Sequence, residues 1–270
     1  MVINMERNIK AYTLSSLLFI CILSLSSSFS GIFSVCLRIL SFLLPFAAAL
    51  VIAEKKQETA LPLGNIKKSL TLLPTFPIAL LLIFLLSLLT TFLLGLAGAS
   101  SPSPLSGNVS FDLLYLGVLP AFTEELLFRL LPLIIIAPYS KRSAIVISAL
   151  FFSFAHASLF SIPYALLAGV IFMTLDLLAD SVLPSVSLHL INNFLSVFYM
   201  YFALKPGFSY LFFGVLGLLA SISLGVIYIL RDYYINMFKE AFSEKDEVKI
   251  PLFTLAFILP MLVFAVLNLF

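Results

Sequence analysis

The chain has 270 residues, of which 62% are hydrophobic and only 10% charged, with a mean hydropathy of +1.17. A soluble domain carries about 25% charged residues, so this composition excludes an ordinary soluble protein. A net charge of +2, with no basic stripe, excludes a nucleic-acid partner.

Apolar runs near 20 residues recur from end to end, each long enough to cross about 30 Å of hydrocarbon. No long polar segment is left for a separate soluble domain, so residues 1–270 read as a single membrane domain. The first 30 residues have a charged start, an apolar core and a serine-rich end, as a secretory signal would. A second apolar run follows almost at once, however, and suits a retained helical hairpin better. Spans are expected near 11–29, 33–53, 72–98, 111–138, 144–158, 162–179, 183–204, 209–230 and 251–270. Charged or proline-rich breaks at 54–58, 101–104, 138–142, 205–207 and 231–249 separate them. The fifth and sixth spans are short, which allows tilt or partial penetration. Within 231–249, Tyr234, Met237, Phe238 and Ala241 share one helical face, as in an interfacial helix. Cys21 and Cys36 are isolated in apolar stretches and read as packing residues rather than a disulfide or zinc pair.

With the N-terminus in the cytoplasm, the cytoplasmic segments hold Arg7, Lys10, Lys55, Lys56, Lys67, Lys68, Lys141, Arg142, Arg231, Lys239, Lys245 and Lys249. Lys205 alone lies outside, while Arg38 and Arg129 fall within spans. This is the positive-inside pattern. With nine spans it leaves the C-terminus outside.

Ionisable groups at bilayer depth are costly and mark functional sites by default. In the fourth span Glu124 and Glu125 point about 100° apart, so they cannot both face one atom. Glu125 and Arg129 are i and i+4 and can pair, which leaves Glu124 directed into a cavity. Phe152 and His156 are i and i+4 in the fifth span, and His189 and Asn193 in the seventh. Counted from the loop at 138–143, Glu124 and His156 lie at similar depths, roughly 21 and 20 Å. A carboxylate and an imidazole are therefore expected to meet near mid-membrane. His189 and Asn193 come out shallower, roughly 9 and 15 Å from the cytoplasmic end. Asn192 is expected to face elsewhere. Asp176 lies one turn from Asp180 near a span end, where snorkelling accounts for it.

A carboxylate, an imidazole and a His/Asn donor pair around one cavity suit amide hydrolysis. A general base takes a proton from water, and oriented donors hold the tetrahedral oxyanion. Glu124 with His156 is the candidate base, and His189 with Asn193 the candidate donor pair. No serine or cysteine stands out as a nucleophile. No cofactor is expected, although Glu124, His156 and His189 also have the composition of a His₂Glu zinc site, with Glu125 as base. Against zinc, no H-E-x-x-H occurs and asparagine is a poor zinc ligand. The non-enzymatic alternative is a membrane scaffold, an immunity protein or a proton-linked carrier, in which the same residues form a structural network.

Glu124-Glu125-x-x-x-Arg129, Phe152-x-x-x-His156 and His189-x-x-x-Asn193, in that order, resemble the CPBP family of intramembrane proteases, which includes the type II CAAX prenyl endopeptidases and the Abi proteins. The resemblance is close over about 110–200. It implies an all-α polytopic membrane fold of about eight helices, nine with the final run, enclosing a polar cavity. It further implies that Glu124 and His156 activate water, that His189 and Asn193 stabilise the oxyanion, and that Glu125 and Arg129 support them. The implied substrate is a peptide anchored in the lipid bilayer, such as a prenylated C-terminus. The run 251–270 would be an extra span beyond the usual core.

Overall fold

Two kinds of interruption, prolines and wide helical turns, shape the part of this helical bundle that holds the motifs. The computed structural model describes residues 2–26, 28–29, 31–53, 65–100, 103–243, 251 and 254, and among these no strand occurs. The expected final span at 251–270 lies outside the described residues apart from Pro251 and Thr254.

Helices α1 (Val2–Ser26) and α2 (Gly31–Ile52) form the hairpin that the two adjacent apolar runs require. Phe19 packs on Phe42 at 4.7 Å and on Phe128 at 5.4 Å, joining the hairpin to the central helix. The short α3 (Ile66–Thr71) starts where the Asn65 side chain accepts the Lys68 N–H. It leads through a 3₁₀ turn into α4 (Phe76–Leu96), which packs on α9 and α11.

The central helix runs as α5 (Val109–Asp112), a π turn (Leu113–Val118), α6 (Leu119–Glu125), a second π turn (Leu126–Leu130) and α7 (Leu131–Ile135). Pro120 and Pro132 explain the pattern. Proline has no N–H to donate, and its ring crowds the carbonyl four residues back. Just ahead of each proline the chain widens, and the Leu119 and Leu131 N–H groups reach back five residues to Leu114 and Leu126.

Helix α8 (Lys141–Ala155) begins at Ser140, whose hydroxyl accepts the Ser143 N–H. It crosses α9 (Ile162–Ala179) so closely that a Cβ on Gly169 would sit 2.7 Å from Ala149 Cα. A tight turn with Asp180 in the left-handed region leads to α10 (Leu183–Phe202). Helices α11 (Phe208–Ile229) and α12 (Arg231–Ala241) complete the described chain.

Four stretches are long and apolar enough by themselves to cross a membrane: Phe33–Ile52, Ile66–Leu96, Ile162–Ala179 and Phe208–Ile229. Three of the other expected spans fall short of that test for visible reasons. The central helix is divided by its π turns, α8 has 15 residues, and α10 carries His189, Asn192 and Asn193. Leu82, Leu85, Leu89, Phe92, Leu93 and Leu96 of α4 and Leu211, Leu218, Ile222 and Leu224 of α11 are exposed. Apolar patches of this extent require lipid around them. The protein is an integral membrane protein. Cys21 and Cys36 are exposed as well, so they belong to this outer surface rather than to the packed interior expected for them.

At one end of the bundle Lys68 pairs with Asp180 at 2.9 Å, the Tyr234 hydroxyl donates to Thr71 O, and Lys141 donates to Ala241 O. Helix α12 therefore bridges from α3 to the α7–α8 loop, burying Met237 and exposing Tyr233 and Phe238. At the other end Asp112 accepts from the Ser106 N–H and from Tyr201 at 2.6 Å.

Candidate functional site

The three sequence motifs bring seven side chains from α6, the second π turn, α8 with its cap, and α10 towards one region. Glu125 is its hub. Its Oε2 pairs with Arg129 Nε at 3.4 Å, and its Oε1 lies 2.7 Å from His189 Nδ1. Glu125 and Arg129 are essentially inaccessible, and His189 is nearly so. Arg129 also donates from Nη1 to Phe128 O and to Ser148 Oγ at 3.0 Å. Its guanidinium stacks over Phe152 at 4.5 Å and Phe172 at 5.5 Å. A guanidinium suits such a place, because aromatic faces can replace part of its water, although Nε and Nη2 have no hydrogen-bond partner among the described residues.

Glu124 reaches the cluster through His189: its Oε2 is 4.0 Å from His189 Nε2. Among the described residues no ion pair joins Glu124 to His156. The depth count from the α7–α8 loop treats the central helix as a regular α-helix, and the second π turn directly follows Glu125.

His156 caps the end of α8, where its Nδ1 lies 2.8 Å from Phe152 O. A carbonyl oxygen only accepts, so this Nδ1 carries the hydrogen. The Glu125 carboxylate, held by Arg129, likewise accepts from His189 Nδ1. Both rings are thus tied by Nδ1–H and keep Nε2 for other work. The Phe152 ring fills the space between them, 5.0 Å from the His156 ring and 5.7 Å from the His189 ring. The phenylalanine of the second motif is thereby a wedge that spaces two imidazoles and an arginine.

Both histidines line a cavity of about 290 Å³ between α4, α9 and α10. Its wall is mainly apolar, from Ile83, Phe84, Leu88, Phe172 and Met200, with Tyr164, Asn192, Asn193 and the histidines as polar points. The sequence leads to a polar cavity; this one sets polar groups, Ser87, Ser196 and Tyr199 among them, in a wall whose exposed area is mostly apolar. Asn193 Nδ2 makes a long contact to Gly117 O at 3.4 Å. Asn192, expected to face elsewhere, lines the same wall, because the cavity spans more than the 100° between neighbouring residues of α10.

Residues that the motifs did not mark extend them by one helical turn. Ser148 precedes Phe152 by four and bonds to Arg129, and Ser185 precedes His189 by four. Asp176 departs most from expectation. It does not snorkel to the surface but is fully buried, accepting the Ser185 N–H at 3.0 Å. Asp180 is the exposed member of that pair.

Zinc would need Glu124, His156 and His189 to converge. Among the described residues no three His, Cys, Asp or Glu side chains are grouped to hold a metal ion. Both Nδ1 atoms are occupied by hydrogen bonds, which leaves Nε2 as the nitrogen through which either ring could bind an ion.

A family model described as Rce1-like, type II CAAX prenyl endopeptidase Rce1-like, matches residues 106–195. That third of the chain contains all three motifs and the whole Glu125 cluster. No curated protein and no solved structure matches the chain.

Proposed function

We propose that this protein, whose residues 106–195 match the Rce1-like type II CAAX prenyl endopeptidase model, is an intramembrane endopeptidase that cuts a membrane-anchored peptide with a water activated by glutamate and histidine. The observation that carries this reading is the arrangement of His189: it is held by Glu125, close to Glu124, and faces the same cavity as His156 and Asn193.

In the proposed reaction a water beside His189 attacks the scissile carbonyl carbon, and Glu124, which stands next to His189 but does not line the cavity, takes its proton. The resulting oxyanion is held by the Asn193 Nδ2–H and by His189, which in this scheme carries a hydrogen on both ring nitrogens, Nδ1–H to Glu125 and Nε2–H to the oxyanion. As the C–N bond breaks, Glu124 gives up the water's proton to the departing amine, with His156 Nε2 on the cavity wall as the relay. Glu125 and Arg129 touch no substrate and keep the His189 ring in place. The apolar wall accommodates the lipid-anchored part of the substrate, for which a prenylated C-terminal peptide is the first choice. The basic segments around Lys68, Lys141 and Arg231 gather at one end of the bundle, which supports a cytoplasmic N-terminus.

The test compares purified wild type and Glu124→Gln on a quenched prenyl-peptide in detergent, each with and without a zinc chelator. The expected result is cleavage that survives chelation and falls by about 10²–10⁴ in the variant. A folded Glu124→Gln protein that cleaves like wild type overturns the scheme. Loss on chelation, restored by zinc, replaces it with metal-dependent hydrolysis.

A further inference from the structure

Asp176 has no part in this scheme, yet its carboxylate is fully buried in α9, where an unpaired charge is costly. Oδ1 accepts the Ser185 N–H at 3.0 Å, while Oδ2 has no hydrogen-bond partner among the described residues.

The first N–H groups of any helix lack an intrahelical acceptor, and those of α10 can be followed one by one. Leu183 N–H goes to Ser181 Oγ at 3.2 Å, and Pro184 has none to give. Ser185 N–H goes to Asp176, and Val186 N–H makes the first intrahelical bond, to Val182 O. Val182, at the cap position, supplies no side-chain acceptor. Asp176 therefore caps α10 from the neighbouring helix through an acceptor oxygen.

One turn beyond Ser185 stands His189, and one turn beyond that Asn193. All three lie on a single stripe of a stiff helix. Whatever fixes the height of Ser185 fixes the height of His189 against Glu125.

We propose that Asp176 is a positioning residue, which sets the depth of His189 by capping α10 from α9. It acts through an acceptor oxygen, so an amide that keeps that oxygen keeps the function. The proposal rests on the hydrolase reading only for its activity readout.

The test exploits the presence of just two histidines. Full-length protein labelled with ring-¹³C histidine gives two imidazole signals, assigned with His156→Gln and His189→Gln. Asp176→Ala is expected to move the His189 signal and leave His156 in place, whereas Asp176→Asn leaves both. In cleavage, Asp176→Ala lowers kcat by up to about 100-fold, as a misplacement near 1 Å would. KM stays within about twofold, because substrate contacts are untouched. Asp176→Asn keeps most of the activity. Should Asp176→Ala fail to fold, Ser185→Pro removes the donor within a first turn that tolerates proline, and it should reproduce the His189 shift. Both histidine signals moving together, neither moving, or Asp176→Asn behaving like Asp176→Ala each overturn the proposal. A wild type that cleaves nothing overturns the hydrolase reading, while the histidine spectra still decide the role of Asp176.

Discussion

Replacing Arg129 by methionine, of similar length but uncharged, tests the buried cluster directly. The guanidinium is fully buried and joins Glu125, Phe128 O, Ser148 Oγ and two aromatic faces. Removing one partner of a buried ion pair typically costs about 3–5 kcal/mol, because the other charge is left without compensation. Here Glu125 keeps the His189 N–H at 2.7 Å, so the lower figure, about 3 kcal/mol, applies. For a chain of this size that lowers the thermal midpoint by about 6–12 °C. The assay is a double-mutant cycle of wild type, Arg129→Met, Glu125→Gln and the double variant, followed by helical circular dichroism in detergent. Because the two groups touch, the double variant should be more stable than the sum of the singles by about 1–3 kcal/mol. Strict additivity, or an Arg129→Met protein within about 0.5 kcal/mol of wild type as for a surface substitution, would refute the view that this charge pair organises the site.

Three further outcomes follow from the same geometry. Gly169→Ala drives a methyl group against the Ala149 backbone and should destabilise the α8–α9 crossing by about 1–3 kcal/mol, read as a lowered thermal midpoint. Asn193→Ala removes a proposed oxyanion donor and should lower kcat by about 10²–10³ with the fold unchanged by circular dichroism. Cys21 and Cys36 are exposed on α1 and α2, so in membranes a lipid-soluble maleimide should label both and a membrane-impermeant one neither. Labelling by the impermeant reagent would place that surface in water.

The helical class and the membrane setting were legible in the sequence because both depend on composition and on the length of apolar runs. The i, i+4 pairs were legible too, since spacing along one helix fixes which side chains share a face. Contacts between helices were less so. A count of 1.5 Å per residue sets Glu124 level with His156, yet it is His189 that stands near Glu124. The prolines were visible, but the two π turns they accompany were not inferred from them. Asp176 was misjudged for another reason. Hydropathy gives depth and not facing, and the group that satisfies it is a backbone N–H nine residues onward in the next helix.

The shared tethering of the two imidazoles divides each ring into an anchored end and a working end. Asparagine places its amide nitrogen near the anchored Nδ1, whereas glutamine places it near the working Nε2. Each histidine thus offers a pair of substitutions that separates holding from acting. In His156 the anchor is the chain's own carbonyl one turn back, so its ring is set by α8 alone. In His189 the anchor is a side chain on another helix, so that ring reports any slip of α10 past the central helix. The geometry of the proposed site is therefore adjustable on one side and fixed on the other, and changes in the bundle reach it through His189.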